Sequence, residues 1–306
     1  MSFTLKEIKV PSSDNIHILS GIMYIPDGEI KGILHIVHGM CEYIGRYAHI
    51  MEAIAEEGFI CCGYDNLGHG KTARDDSELG FIAHRDGWKY LIKDVKMFED
   101  AVRKLYPEKP LMLMGHSMGS FISRLAAEEY GDTLSKLIIC GTGGPNPAAP
   151  FGLIITDIVK AFRGEKHISK AVDRLAFGSY NKRFEGLSEY DWITSEQTLV
   201  EKYAGDKYCT FKFTVLAMHD LIKLNYAANR KAWFRNLRQD LPILIISGTD
   251  DPVGNYGKGV RKVYDRLKAA GLNNIALKLY NGCRHEIHND KCRAEVINDI
   301  KDFIKQ

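Results

Sequence analysis

The chain has 306 residues, a length that suits either two domains of about 150 residues or one larger unit carrying an insertion. Hydrophobic residues make up 45% and charged residues 26%, which excludes a disordered tail, a collagen-like chain and a coiled coil. Forty-one basic against 39 acidic residues leave +2, with no basic stripe to suit nucleic acid or an anionic membrane.

The opening Met1-Ser-Phe-Thr-Leu-Lys-Glu-Ile-Lys-Val10 lacks the basic-then-apolar order of a signal peptide. Phe3–Val10 and Ile16–Ile25, flanking the turn signal Pro11-Ser-Ser-Asp-Asn15, predict a hairpin. Short apolar strands then alternate with helices. Gly32–Val37, Phe59–Tyr64, Pro110–Gly115, Lys136–Cys140, Pro242–Ser247 and Ile275–Tyr280 are the strands; Tyr47–Glu57, Gly87–Leu105, Met118–Tyr130, Gly259–Ala270 and Arg293–Ile304 are the helices. This order means βαβ units and a mostly parallel sheet. Apolar runs such as Ile33 to Val37 are strand length, so no membrane span is expected.

Residues 145–240 break the rhythm and hold no convincing strand. Phe151, Ile154, Ile155, Ile158, Val159 and Phe162 repeat with helical spacing, and core contact beneath them is at least as good a reading as lipid contact. The segment reads as a helical insertion over a core made of 1–144 and 241–306. Seven cysteines, none in Cys-x-x-Cys spacing, predict reduced, mostly buried thiols and a cytoplasmic location.

Gly115-His-Ser117-Met-Gly119 matches Gly-x-Ser-x-Gly. A bare match arises by chance in roughly one such chain in ten, so context decides. The strand Leu111-Met-Leu-Met114 leads in and a helix leads out, as a nucleophile on a sharp strand-to-helix turn requires. A hydroxyl needs a base, and the base needs a third group to fix its tautomer. Both should lie at the ends of later strands. Thr249-Asp250-Asp251-Pro252 follows one such strand and Asn281-Gly-Cys-Arg-His285 the next, giving the order Ser, Asp, His. Either aspartate could serve, the other bracing a turn before Pro252. His285 and His288 compete for the base, with His288 the better surface or supporting residue. The oxyanion donors expected are the N–H groups of Met118 and Met40, with Gly39 allowing close approach and His38 bracing the loop.

At this point the sequence resembles serine hydrolases of the α/β-hydrolase superfamily, in the monoacylglycerol lipase and lysophospholipase group. The resemblance rests on His38-Gly-Met-Cys-Glu-Tyr-Ile-Gly-Arg-Tyr47, Asp65-Asn-Leu-Gly-His-Gly70, Gly115–Ser120, Gly248-Thr-Asp-Asp251 and Tyr280–His285. Asp191-Trp192 with Tyr203, Asp206 and Cys209 is similar to the insertion of bacterial lysophospholipases. The resemblance implies an α/β-hydrolase fold with a helical cap, a Ser117–Asp251–His285 triad, and a Glu42–Arg46 pair bracing the oxyanion loop. It also implies lipid-like monoester substrates. It breaks at Met40-Cys41, where relatives commonly carry a small residue and Gly; the bulkier pair would narrow the acyl entrance or shift the second donor.

Three near misses fail on a required residue. Asp65-Asn-Leu-Gly-His-Gly-Lys-Thr72 lacks the first Gly of a phosphate loop, Gly141-Thr-Gly143 lacks the third Gly of a dinucleotide loop, and His285-Glu-Ile-His288 lacks the zinc-helix spacing. No cofactor and no metal are expected, and oligomeric state is left open. Rival readings are a small-ester carboxylesterase, an aminopeptidase using Glu185, Glu189, Glu196 or Glu201 to hold an amine, and a non-catalytic ligand-binding protein.

Overall fold

The computed structural model describes residues 2–184, 186 and 188–306. The opening hairpin pairs β1 (Phe3–Pro11) with β2 (Ile18–Pro26). Then come β3 (Gly32–Val37), α1 (Ala48–Ala55), β4 (Phe59–Tyr64), α2 (Gly87–Leu105), β5 (Leu111–His116), α3 (Met118–Tyr130) and β6 (Lys136–Cys140). Six helices follow without a strand: α4 (Ala149–Arg163), α5 (Lys170–Phe177), α6 (Gln197–Ala204), α7 (Lys207–Thr210), α8 (Val215–Ala228) and α9 (Lys231–Asn236). The chain returns to the sheet through β7 (Ile243–Gly248), α10 (Lys258–Ala269), β8 (Ile275–Tyr280) and α11 (Arg293–Lys305).

The eight strands lie in the order β1-β2-β4-β3-β5-β6-β7-β8, antiparallel at β1–β2 and β2–β4 and parallel elsewhere. Strands β3, β4, β5 and β7 are buried at every position because both faces are covered. The pleat still sorts them. Leu113, Ile139 and Ile245 join the layer of α2, α3 and α10, while Met114, Ile138 and Ile246 join that of α1 and α11. Strand order reverses at β3 and β5, and their carboxyl ends open the crevice where such sheets bind ligands.

Three expectations need correction. Cys283 and Cys292 are joined as a disulfide, with Cα atoms 6.6 Å apart, whereas the other five cysteines are free and buried. The turn after β8 and a single 3₁₀ turn fold the chain back on itself, a closure that a spacing of nine does not announce. Most of the α4 stripe is not packed on a core, although Val159 is: Phe151 is 69% exposed and Phe162 84%. His288 is not a surface residue but fully buried. No helix among the described residues is long and apolar enough to cross a membrane.

Asp220 on α8 is buried against the first turn of α2. Its burial pushes the carboxyl pKa up to about 7, although the Trp88 N–H favours the charge. Oδ2 has no hydrogen-bond partner among the described residues. The folded state therefore binds a proton that the unfolded state has released, and stability falls as pH climbs from about 4 to about 7. Asp220→Asn should raise the melting temperature by several degrees at about pH 8, with the gain shrinking toward pH 4. Thermal unfolding across that range checks it, and an equal gain at both ends would refute the assignment.

Candidate active site

Ser117 stands between β5 and α3 with φ 54° and ψ −121°, a strained conformation that lifts the hydroxyl off the sheet. The flanking glycines are dictated by space. A Cβ on Gly119 would lie 2.1 Å from the Val37 carbonyl, and one on Gly115 2.2 Å from the Gly119 carbonyl. Gly39, from the loop after β3, comes so near that its Cβ would sit 2.9 Å from that of Ser117. Met118 opens α3, where first-turn N–H groups have no intrahelical acceptor. The Met40 N–H likewise donates to no acceptor among the described residues.

The loops after β7 and β8 meet over this turn. His285 Nδ1 lies 3.0 Å from Asp251 Oδ1, and both residues are buried. Asp251 is itself held, accepting from Ser247 Oγ at 3.0 Å and from the Val253 N–H at 2.9 Å. Asp250 is half-buried, its carboxylate bonds only the Thr249 hydroxyl among the described residues, and it lines a separate small pocket. The Ser117 hydroxyl and the His285 ring face a common cavity of about 690 Å³, without a hydrogen bond between them. Apolar side chains from the helical segment, including Phe151, Ile155, Val172, Leu175, Leu221 and Ile222, line it.

Beneath the site Glu42 gathers four donors: the Gly39 N–H at 2.5 Å, Tyr47 Oη at 2.9 Å, His116 Nδ1 at 3.1 Å and Arg46 at 3.2 Å. Burial alone would raise its pKa, but His116 and Arg46 hold the carboxyl well below the usual range. His116 is correspondingly raised: burial opposes its charge, and Glu42 outweighs that. Arg46 continues to Glu286 through two bonds of 2.6 and 2.7 Å, and His116 Nε2 reaches the His285 carbonyl at 3.3 Å. His38 is neutral by burial, its Nδ1 donating to the Gly39 carbonyl and its Nε2 accepting from the Asn66 N–H.

The Hydrolase_4 family, described as serine aminopeptidase, S33, matches residues 28–292. The chain belongs to this family. It is similar to the crystal structure of a highly thermostable carboxyl esterase from Bacillus coagulans in complex with glycerol. That likeness has TM-score 0.93 and 30% identity, covering 99% of this chain and 98% of that one. It is also similar to monoglyceride lipase of Rattus norvegicus, 25% identical over 90% of this chain and 81% of the relative. Phospholipase YtpA of Bacillus subtilis is 26% identical over 90% and 95%.

Within this Hydrolase_4 member, Cys41 takes φ 53°, the left-handed region that favours glycine, at a cost of about 1–2 kcal/mol for a side chain. Its carbonyl accepts from Tyr203 Oη at 2.8 Å and its Sγ donates to the Phe211 carbonyl at 3.2 Å. The helical segment thus holds the strained residue. In Asp65–Thr72 the Asp65 carboxylate accepts from the Ile44 and Lys71 N–H groups and fills the space beside Gly70, where a phosphate cradle would have to be open. Sequence reasoning passed over His116 and Glu286. The first occupies the variable position inside the serine motif and the second directly follows His285, so neither spacing nor composition marked them.

Breaking a buried charge network by removing one partner costs about 3–5 kcal/mol, so Glu42→Gln should destabilise by that order at neutral pH. Chemical denaturation measures it. His116 is raised, so its charge contributes fully below its ordinary pKa and fades as pH rises through the folded value. The stability gap between the wild type and His116→Gln should therefore narrow from about pH 6 to about pH 9; a widening gap would reverse the assigned charge state.

Proposed function

We propose that this protein hydrolyses carboxylic esters of lipid-like monoesters, such as monoacylglycerols or lysophospholipids, through an acyl-enzyme on Ser117. The observation that carries the reading is an apolar cavity of about 690 Å³ that ends at a serine held at positive φ. Phe151 and Ile155 line that cavity and also belong to the exposed stripe of α4, so apolar surface runs from the outside to the serine. Relatives bearing the names monoglyceride lipase and phospholipase support the substrate class.

In the proposed reaction Ser117 Oγ attacks the ester carbonyl and its proton passes to His285 Nε2, while Asp251 fixes the ring through Nδ1. The Met40 and Met118 N–H groups hold the oxyanion. Collapse expels the alcohol, which takes the proton from His285; water, deprotonated by the same ring, then releases the acid. The serine–histidine hydrogen bond forms when substrate closes the site, as it commonly does in this chemistry. His38, Gly39, Glu42 and Arg46 act in this scheme by holding the oxyanion loop. Residues 145–240 act as a cap that supplies the acyl wall.

Among the described residues nothing favours amine recognition despite the family's description. Glu189 is exposed and faces Lys212, and Glu196 and Glu201 do not line the cavity; Glu185 lies outside the described residues. The acids that do line it, Glu42 and Glu286, are both held by Arg46. A cytoplasmic location belongs to the proposal on the strength of five buried free thiols, with the Cys283–Cys292 bond weighing against it.

Initial rates on esters with two- to sixteen-carbon acyl chains test the reading, with Ser117→Ala as the blank. Rates should peak at medium or long chains and drop roughly a million-fold in Ser117→Ala. A peak at acetate or butyrate would make it a small-ester carboxylesterase, and absence of any Ser117-dependent rate would sink the ester reading. Asp251→Asn should lose about 10,000-fold in kcat, and Asp250→Asn less than about tenfold. The reverse ranking would move the acid to Asp250.

A further inference from the structure

Strand register brings three ligating side chains together behind the serine turn. His116 ends β5 and Cys140 ends β6, directly paired across the parallel ladder, so both point to the layer of α1 and α11. His288, from the 3₁₀ turn after β8, packs onto the same spot with its ring 4.8 Å from that of His116. One ligand atom from each of the three lies within 4.8 Å of the others, and all three residues are buried.

Two further observations point to a ligand there. Both ring nitrogens of His288 are buried and without a hydrogen-bond partner among the described residues, although an unsatisfied buried polar group is costly. His116 already has the outer partner of a metal-binding histidine: its Nδ1 sits against the Glu42 carboxylate, which turns Nε2 inward. His116 also lines the cavity that ends at Ser117, which places that cavity beside the cluster.

We propose that His116, Cys140 and His288 bind a soft divalent cation of the zinc class, and that its binding slows ester hydrolysis. The inhibitory part rests on the hydrolase reading. Two nitrogens and one thiolate are a set such a cation accepts, with the fourth position left to water. Ligand atoms around zinc stand about 3.3–3.8 Å apart, so contraction by roughly an ångström completes the site. Binding forms a metal–sulfur bond at Cys140 and releases its thiol proton; any proton on His116 Nε2 leaves as well, and both pass to the buffer. His116 Nε2 then no longer serves the His285 carbonyl, which loosens the loop carrying the base.

The test is titration of the chelator-treated full chain with cobalt(II). One equivalent should give a thiolate-to-cobalt band in the near ultraviolet and the intense visible bands of four-coordinate cobalt, both bleached by zinc(II). Cys140→Ala should abolish the ultraviolet band, and His288→Gln should weaken binding at least about tenfold, the scale of losing a ligand or its outer partner. Thermal unfolding verifies that both variants fold. Ester hydrolysis should fall with the same midpoint as the band and recover with chelator. Absence of the band, or a band undiminished in Cys140→Ala, would overturn the site. So would inhibition whose midpoint is unchanged in Cys140→Ala, because the cation would then act elsewhere. A cobalt band in a chain without ester hydrolysis would sustain the site and sink the hydrolase reading alone.

Discussion

One buried carboxylate organises the centre of this molecule. Glu42 accepts from the loop after β3 through Gly39, from the start of α1 through Tyr47, from the serine turn through His116, and from Arg46. A charge without water is tolerated only when such donors satisfy it, and removing one leaves the others facing an uncompensated ion. The same network reaches the turn after β8 twice, through Arg46 to Glu286 and through His116 to the His285 carbonyl. The ends of β3, β5 and β8 are therefore tied to a single anion.

The helical segment 145–240 is fastened to both halves of that arrangement. Tyr203 bonds the Cys41 carbonyl in the loop after β3. On the other side the Glu286 N–H donates to the Ile193 carbonyl at 2.7 Å, and Arg284 reaches the carbonyls of Asp191 and Thr194. Arg124 adds a third anchor from α3. Its guanidinium is buried without a carboxylate, its pKa drawn down to about 9 by burial and the nearby Arg266, and it bonds backbone and amide oxygens of Gly143, Ala228 and Asn229. A residue that packs on Trp233 and donates to two segments fixes where the helices of 145–240 meet the sheet. The cavity walls and the loops around Ser117 are accordingly one mechanical unit, although they lie far apart in sequence.

Periodicity and strand-to-turn context made the sheet, its helices and the helical insertion legible in the sequence, because those signals are local. Ser117 was legible for the same reason, its glycines being forced by close backbone approach. Asp251 and His285 needed one added rule, that ligands gather at the carboxyl ends of parallel strands. What escaped depends on contacts between distant segments. The Cys283–Cys292 bond follows from a fold-back after β8, the burial of His288 from the packing of a 3₁₀ turn on α1, and the exposure of the α4 stripe from its lying outside α8 rather than beneath it. His116 escaped although it stands inside the most conspicuous motif in the chain, since its role is set by Glu42, seventy-four positions away.

His116 also sets the limits of the network's pH range. Glu42 is held below the ordinary carboxylate range, so its charge is lost only as pH falls through that depressed value; His116 is held above the ordinary imidazole range, so its charge is lost as pH rises through the raised one. Between those limits Nδ1 faces an anion and Nε2 carries a proton toward the His285 carbonyl. Above the upper limit Nε2 loses that proton, and its bond to the His285 carbonyl goes with it. Because the turn after β8 is tied to β5 at that point, the charge of His116 bears on how firmly the two are held together.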